Sequence, residues 1–333
     1  MKYRHSIALV SLLIITMALG GCFQARRPVP NQPAPQAQPK GQVPTIPKQI
    51  SKGAGVEPEL TVYIKETGET KKMKMEDYIM GVVAGEMEPD WPVNALAAQA
   101  ILARTFTLQK IAKEGGVPNR KADASTDIEE FQAYNASRIS DKVRQAVQQT
   151  RGVIASYQGE FIRAWFHADS GGKTATAEEG LSFTKEPTPY VVPVTDEEFR
   201  KGIPADKARF TASFSTAEVA KAASSTGAKV SSVKSMKIAE RGPSGRVTAF
   251  TVDGQRVPAA AFRIAIGSTE LKSLMLDGDP VVSGGKVTFK GKGYGHGVGM
   301  AQWGAKGMAE AGKSPEAIVR FYFKDVEIHQ IYK

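Results

Sequence analysis

The stretch Val93-Asn-Ala-Leu-Ala-Ala-Gln-Ala-Ile-Leu-Ala-Arg-Thr-Phe-Thr-Leu-Gln-Lys-Ile111 decides the fold, because it is rich in strong helix formers. Pro92 precedes it and suits the first turn of a helix, where the missing N–H of proline costs no hydrogen bond. We therefore predict a helix from Val93 to about Ile111.

Arg104 lies within the apolar face of this predicted helix, between Ala100 and Leu108 on a helical projection. A buried arginine must be paired, either with a carboxylate near Glu86 or with backbone carbonyls. Direct contact with Glu86 would lower the pKa of that carboxyl and spoil it as an acid. We therefore expect Arg104 to brace the loop that carries Glu86.

The segment Met75–Pro92 predicts a second helix that ends near a carboxylate. Its apolar residues recur at helical spacing, namely Tyr78, Ile79, Val82 and Val83. Gly85 is a plausible breaker, so Glu86 falls just beyond the helix end, where the helix dipole raises the pKa of a carboxyl. Such a group suits general acid catalysis. The alternative is that Glu86 and Glu88 are ordinary solvated loop acids.

Strands and polar loops follow the two helices. Glu160–Phe166 reads as a strand that delivers the loop His167–Thr174 at its end. The Gly-Gly-Lys-Thr in this loop resembles part of a nucleotide loop but lacks the full phosphate-binding spacing. Arg246–Gly254 predicts a strand and turn, and Ser314 and Pro315 start a helix before a last strand near Val326 to Ile331. These elements predict an α+β fold, with a mixed sheet core and helices around a substrate cleft.

Five glycines in Gly293–Gly304 surround Tyr294, His296, Gln302 and Trp303. Glycine permits close backbone approach and positive φ, so this chain is expected to lie against something bulky and polar. The alternative is a tight turn from a strand into a helix, with a histidine that only hydrogen-bonds its own loop.

The first residues predict export. A basic start precedes the apolar run Ile7–Leu19, which is too short for a comfortable membrane span. Leu19-Gly-Gly-Cys22 resembles the bacterial lipobox, so we predict a lipoprotein signal peptide at 1–21 and lipidation of Cys22. The alternative is a plain signal-anchor helix with an incidental cysteine. Cys22 is the only cysteine, so no internal disulfide can form.

Composition divides the rest of the chain. Residues 22–57 are rich in proline and glutamine and predict an extended, disordered linker; residues 58–333 predict the folded domain. The formal net charge of +10 suits the anionic polymers of a cell wall. No basic stripe interleaved with aromatic residues is present, so we predict no nucleic-acid partner.

Four stretches resemble the SpoIID/LytB family, the stage II sporulation protein D group, in residues and in order. They are Tyr78–Met87, Ala95–Thr105, Phe166–Thr174 and Gly295–Ala305. The resemblance spans about Leu60 to Lys333. The resemblance implies a role in cell-wall remodelling. Sporulation members of the family are lytic transglycosylases that cut peptidoglycan glycan strands and prefer strands stripped of stem peptides. Other members are described as enhancers of wall amidases.

The resemblance also implies site residues. The family's catalytic glutamate falls on Glu86, and Glu88 lies outside the motif. The motif positions that line or brace the groove are Arg104, His167, Ser170, Gly171, Gly172, His296, Gln302 and Trp303. Tyr294 and Trp303 are candidates for stacking on sugars, and each could equally be core. One acid suffices for a lytic transglycosylase, because the sugar's own hydroxyl is the nucleophile, whereas a hydrolase usually needs two carboxylates.

One departure from the family concerns Asp123–Tyr134. Members often carry cysteines there, and in some the loop holds zinc; this chain has none. Only His167, His296 and His329 remain after the signal, so we predict no metal and no other cofactor. Loss of this anchor puts the shape of the groove in question.

Three hypotheses remain. The protein is a lipid-anchored lytic transglycosylase at the outer face of the cytoplasmic membrane, or a non-catalytic glycan-binding modulator of an amidase, or a lipoprotein that only binds wall polymer through its charge. The expected partners are peptidoglycan glycan strands, other wall hydrolases or amidases, and the membrane through the lipid. A groove in which Glu86 is partly buried and faces His167 and His296 would favour the enzyme.

Overall fold

The computed structural model describes residues 41–333, and the predicted signal peptide, Cys22 and most of the predicted linker lie outside the described residues. The predicted α+β class is confirmed. The helices are α1 (Met75–Glu86), α2 (Val93–Glu114), α3 (Asp141–Gln149), α4 (Ala177–Leu181), α5 (Ala205–Ala208), α6 (Thr216–Ser225), α7 (Ala259–Ile266), α8 (Gln302–Glu310) and α9 (Pro315–Tyr322).

The strands are short and form several small sheets. They are β1 (Glu59–Ile64), β2 (Glu69–Lys74), β3 (Ala124–Ser125), β4 (Val153–Tyr157), β5 (Glu160–Phe161), β6 (Phe166–His167), β7 (Arg209–Ser215), β8 (Met236–Arg241), β9 (Val247–Val252), β10 (Gln255–Pro258), β11 (Met275–Leu276), β12 (Val281–Ser283), β13 (Lys286–Lys292), β14 (Met300–Ala301) and β15 (Glu327–Gln330). The sheet orders are β2-β1-β3, β15-β4-β5, β10-β9-β8, β11-β13-β12 with β7 also on β13, and the parallel pair β14-β6.

Helix α2 is the centre of the first part of the fold. It begins at Val93 as predicted and runs to Glu114, three residues beyond Ile111, because the left-handed Gly115 ends it. One side packs with α1, β1 and α3, and the other packs with β4, α8 and α9. Burial on both sides explains why the helix is apolar nearly all round. No helix in residues 41–333 is long and apolar enough to cross a membrane.

A second hydrophobic core lies between residues 210 and 289 and contains none of the residues of α2. The strands β7 and β13 are antiparallel, with Phe214 opposite Val287 and Ala212 opposite Phe289. In β7 buried and exposed residues alternate, as expected for a sheet with one face on a core. Helices α6 and α7 cover that buried face.

The chain just before the predicted domain boundary at residue 57 packs against the domain. Ile50 is buried beside β1 and α1. Glu57 accepts the N–H of Glu76 at 2.9 Å and forms an ion pair with Arg151. Gly55 pairs with Tyr332 near the C-terminus. The packed chain therefore begins on the N-terminal side of residue 57.

Candidate active site

Glu86 is the last residue of α1, whereas the sequence predicted it just beyond the end of the helix. Its carboxylate Oε1 accepts the backbone N–H of Ala133 at 2.7 Å. Gly85 is inside the helix and does not break it. A Cβ at Gly85 would lie 2.7 Å from the backbone nitrogen of Tyr134. The glycine therefore lets residues 133–134 approach the helix and cover Glu86.

Burial raises the pKa of Glu86 to about 7, and the hydrogen bond from Ala133 and the nearby Gln302 side chain oppose this shift. The direction agrees with the helix-end argument from sequence, but the main cause is desolvation. The carboxyl is therefore divided between its protonated and ionised forms near neutral pH, which suits proton transfer in both directions.

Glu86 lies in a cleft of about 310 Å³. The lining residues are Gly85, Glu86, Met87, Glu88, Trp91, Arg138, Ala168, Asp169, Lys207, Lys272, Tyr294, Gln302 and Trp303. The rings of Trp91 and Trp303 are 4.7 Å apart between centroids, and Tyr294 is 37% exposed. The cleft thus has aromatic surface beside the carboxyl.

The other two carboxylates of the cleft are neutralised by arginines. Glu88 accepts a hydrogen bond from Arg138 at 2.5 Å. Asp169 is buried and accepts two hydrogen bonds from Arg200, at 2.7 and 2.8 Å. Among the described residues that line the cleft, Glu86 is the one carboxylate without an ion-pair partner.

The glycine-rich segment packs against the loop after β6, which forms one wall of the cleft. Asp169 and Tyr294 exchange backbone hydrogen bonds at 2.9 and 2.8 Å. A Cβ at Gly299 would lie 2.0 Å from the carbonyl oxygen of Trp165, and one at Gly293 would lie 2.9 Å from that of Asp169. What lies against these glycines is therefore another segment of the same chain. The segment turns from β14 directly into α8.

His167 and His296 lie beside each other behind this wall and do not line the cleft. Their ring centroids are 5.5 Å apart. His167 Nδ1 donates to the carbonyl of Val298 at 3.1 Å, and His296 Nδ1 accepts the N–H of Val298 at 3.0 Å. Burial, with Arg263 and Arg246 nearby, lowers the pKa of His296 to about 3. His296 thus binds its own loop, as in the alternative drawn from sequence.

The pKa of His167 is also far below its ordinary value, because of burial first and then the neighbouring His296 and Arg246. Both rings are therefore neutral at physiological pH. The Nε2 atom of His167 is buried and has no hydrogen-bond partner among the described residues. The two histidines pack against each other and hydrogen-bond to Val298. They do not face Glu86 across the cleft, as the sequence analysis had expected for an enzyme.

Ser170, Gly171 and Gly172 lie beneath the cleft wall. The Ser170 hydroxyl donates to buried Asp196 and accepts the N–H of Gly172 at 2.8 Å. Tyr322 also donates to Asp196, at 3.0 Å. Burial raises the pKa of Asp196. Both glycines have positive φ, and a Cβ at Gly172 would collide with the Glu197 carboxylate. These residues shape the loop and do not reach the cleft surface.

Arg104 is fully buried, as its position on α2 predicted, but it is away from the cleft. It donates to both carboxylate oxygens of Glu76, at 2.9 and 2.6 Å, and to the carbonyl of Val153 at 2.7 Å. Tyr332 also donates to Glu76, at 2.6 Å. Although burial opposes it, Arg104 holds the pKa of Glu76 below its ordinary value. Arg104 thus braces the start of α1, whereas Glu86 is at its end.

Residues 123–134, which lack the family's cysteines, are held by aromatic and polar contacts. Phe131 packs edge-on against Phe106, with centroids 5.4 Å apart, and against Tyr78, at 6.2 Å. Gln132 Nε2 donates to Thr107 at 3.1 Å. This anchoring brings the N–H of Ala133 to Glu86. Within residues 41–333, no group of three or more potential metal-ligating side chains is present.

The sequence analysis did not identify five of the residues that line the cleft. Trp91, Arg138, Asp169, Lys207 and Lys272 all line it. Trp91 and Asp169 are near motif residues and could have been included on that ground. No local sequence pattern identifies the two lysines, because only the tertiary fold brings them into the same cleft as Glu86.

These features define an α+β protein whose cleft presents one protonatable carboxyl beside aromatic side chains. A family model described as stage II sporulation protein matches residues 63–157, which contain Glu86 and α2. A second, described as a domain of unknown function, matches residues 195–299, which contain the second core and Tyr294. The cleft is therefore built from both matched segments together with α8 and the loop after β6, which contributes Ala168 and Asp169.

Comparisons over most of the chain place it in a family. It is 33% identical to an uncharacterised protein of Brachyspira hyodysenteriae over 77% of this chain and 67% of that protein. It is 30% identical to stage II sporulation protein D of Bacillus amyloliquefaciens over 81% of this chain and 78% of that protein. An amidase enhancer of Bacillus subtilis is 28% identical over 74% of this chain and 39% of its own length. The chain belongs to the stage II sporulation protein D (SpoIID) family.

Proposed function

We propose that this protein works on the cell wall as a lytic transglycosylase, which cuts peptidoglycan glycan strands with Glu86 as both acid and base. The observation that carries the proposal is the state of Glu86. It is partly buried in a cleft, has no ion-pair partner among the described side chains, and has a pKa of about 7. Names of the relatives, stage II sporulation protein D and amidase enhancer, support the cell-wall assignment.

The reaction needs only one carboxyl. Protonated Glu86 donates its proton to the glycosidic oxygen as the bond to the anomeric carbon breaks. The resulting carboxylate then takes the proton of a hydroxyl on the same sugar, and that oxygen attacks the anomeric carbon to close an anhydro ring. The leaving strand keeps the first proton, and Glu86 ends protonated again, so the cycle closes without water.

A two-carboxylate hydrolysis fits the cleft less well. It requires a second carboxylate that acts as a nucleophile or activates water. Asp169 is held by Arg200 and by the N–H of Gly171, and Glu88 is paired with Arg138. Carboxylates held in ion pairs are weak bases and nucleophiles, which favours the mechanism with a single acid.

The aromatic residues support a sugar substrate. Tyr294 presents an exposed ring to the cleft, and Trp303 presents part of its ring beside Trp91. Flat aromatic faces bury the apolar faces of sugar rings, while the Tyr hydroxyl and Trp N–H remain able to hydrogen-bond. We propose Tyr294, Trp303 and Gln302 as substrate contacts. His167, Ser170, Gly171, Gly172 and His296 support the cleft wall from behind, and Arg104 braces the start of α1.

A non-catalytic role as an amidase enhancer is the second candidate. It is favoured by the Bacillus subtilis relative of that name. In that case the cleft would bind glycan without cutting it, and a wall amidase would be the partner.

The test compares the full-length chain, purified in detergent, with Glu86→Gln and with the control Glu129→Gln, which changes an exposed acid away from the cleft. Each is incubated with peptide-stripped glycan strands, and released sugars are analysed by mass spectrometry. We expect anhydro-ended products from the parent and the control and none from Glu86→Gln. Intact strands bound by a folded parent would move the assignment to the amidase enhancer.

A further inference from the structure

Two lysines in the cleft are not neutralised by described acidic side chains. Lys207 and Lys272 both line it, and neither has a carboxylate within ion-pair distance among the described side chains. The Lys207 ammonium is 5.9 Å from the centre of the Trp303 ring, and that of Lys272 is 5.7 Å from the Tyr294 ring. Each cation is therefore placed over an aromatic side chain of the cleft.

The backbone of the glycine-rich segment holds the two lysines on either side of Tyr294. The N–H of Gly293 donates to the carbonyl of Ala208, next to Lys207, at 3.3 Å. The N–H of Gly295 donates to the carbonyl of Lys272 at 2.8 Å. Arg263 donates to the same carbonyl at 2.9 Å. The lysines thus come from segments that are distant in sequence but are fixed to neighbouring residues of one wall.

The charges of the cleft favour an anion. Asp169 and Glu88, which also line the cleft, form ion pairs with Arg200 and Arg138. Among the described side chains, Lys207 and Lys272 remain as positive charges without an ion-pair partner. Such a cleft attracts a substrate that carries negative charge and binds it more tightly than an uncharged one of the same shape.

In peptidoglycan, a carboxylate on the sugar itself becomes free only when the stem peptide is removed. The stem peptide is joined by an amide to the lactyl group of alternate sugars, so that position is uncharged in an intact strand. Removal of the peptide leaves a free carboxylate there. A strand without its peptides is therefore a regular polyanion along the path of the sugars.

We propose that Lys207 and Lys272 bind the lactyl carboxylates of a peptide-stripped strand and so determine which strands the cleft accepts. This inference rests on the proposed glycan substrate and assigns its specificity to two residues. Charge-assisted hydrogen bonds from lysine to carboxylate supply the preference for strands with free acids. The aromatic rings beneath the lysines supply affinity that does not depend on the acids.

The test measures binding, so that it does not depend on cutting. Full-length Glu86→Gln in detergent is titrated with peptide-stripped strands and with the same strands after their carboxyls have been converted to amides. Isothermal calorimetry should show about tenfold tighter binding of the acid form, because hydrogen bonds to charged groups are worth that much. Adding Lys207→Gln or Lys272→Gln should weaken binding of the acid form and leave the amide form unchanged. Lys237→Gln, on the exposed side of β8, is the control and should change neither.

Comparison of the acid and amide forms tests the lysine assignment separately from the lytic activity. Equal affinity for the acid and amide forms, or lysine variants that weaken both forms alike, would overturn the lysine assignment while leaving the lytic activity to its own test. A preference for the acid form that depends on the lysines supports it, even in a protein whose parent form cuts nothing. Failure of the folded protein to bind either form would overturn both.

Discussion

At the scale of single residues, the chemistry of Glu86 depends on what covers it. The carboxyl is at the end of α1, accepts the N–H of Ala133 and is close enough to Gln302 for that side chain to influence its pKa. Desolvation outweighs the influence of both neighbours, so the pKa of Glu86 is raised to about 7. Two predictions follow from this one shift, one on stability and one on rate.

The first is that Glu86→Gln changes how stability depends on pH. The pKa is raised in the folded state, so the stabilising effect of the neutral carboxyl is complete below about pH 4.5 and is lost as pH rises through about 7. Glutamine does not ionise. Between about pH 4 and about pH 8, the parent should lose about 2 kcal/mol of unfolding free energy relative to the variant. This is less than the roughly 3.4 kcal/mol that the full shift would give, because water reaches the half-buried carboxyl. Urea unfolding at several pH values measures it, and parallel curves would contradict the shift.

The second is that the rate of strand cleavage falls as pH rises above about 7, because the first step needs the protonated carboxyl of Glu86. The fall should approach tenfold per pH unit, as for loss of one proton. Initial rates on peptide-stripped strands from about pH 5 to about pH 9 measure it. Binding of the same strands by Glu86→Gln is the control for substrate effects. A rate that rises through this range would exclude Glu86 as the acid.

At the scale of elements, a buried ion pair joins the parts of the first core. Arg104 on α2 binds Glu76 on α1 and the carbonyl of Val153 at the start of β4. Glu76 also accepts hydrogen bonds from Gly152 and from Tyr332 near the C-terminus. The pair therefore orients α1, and with it Glu86 at the other end of the helix.

We expect Arg104→Ala to lower the free energy of unfolding by about 3–5 kcal/mol, because Glu76 would remain buried without its partner. Combining Arg104→Met with Glu76→Gln should cost clearly less, since it removes the isolated charge while keeping an acceptor for Tyr332. Urea unfolding followed by circular dichroism measures both. A double variant as unstable as Arg104→Ala would mean that lost packing and not the stranded charge is responsible.

At the scale of the whole molecule, one cleft is assembled from segments far apart in sequence. Glu86 is in the segment that matches the SpoIID family model, and Lys207, Lys272 and Tyr294 are in the segment that matches the second model. Helix α8 contributes Gln302 and Trp303. If the N-terminal prediction holds, this cleft is tethered to a membrane by Cys22.

The tether can be tested directly. Metabolic labelling with a radioactive fatty acid should label the parent and not Cys22→Ala, because Cys22 is the only cysteine and so the only thiol available for a lipid. The variant should also move from the membrane fraction to the soluble fraction, since loss of the acyl chains removes their hydrophobic anchoring. A parent that carries no label but stays in the membrane would favour the signal-anchor alternative.

Sequence alone was sufficient for the α+β class, for helix α2, for the start of α9 at Ser314 and for the family, because these follow from helix propensity, capping and local motifs. It also marked Glu86 and the direction of its pKa shift. It could not assign the cause of that shift, since burial depends on where residues 133–134 pack.

Tertiary structure decided which motif residues face the cleft. His167, His296, Ser170 and Arg104 come from the same set of family motifs as Glu86. Their hydrogen bonds nevertheless go to Val298, Asp196 and Glu76 inside the protein. Lys207 and Lys272 belong to none of those motifs and line the cleft. A motif records that a residue type is needed, whereas solvent exposure and charge balance depend on contacts between segments distant along the chain.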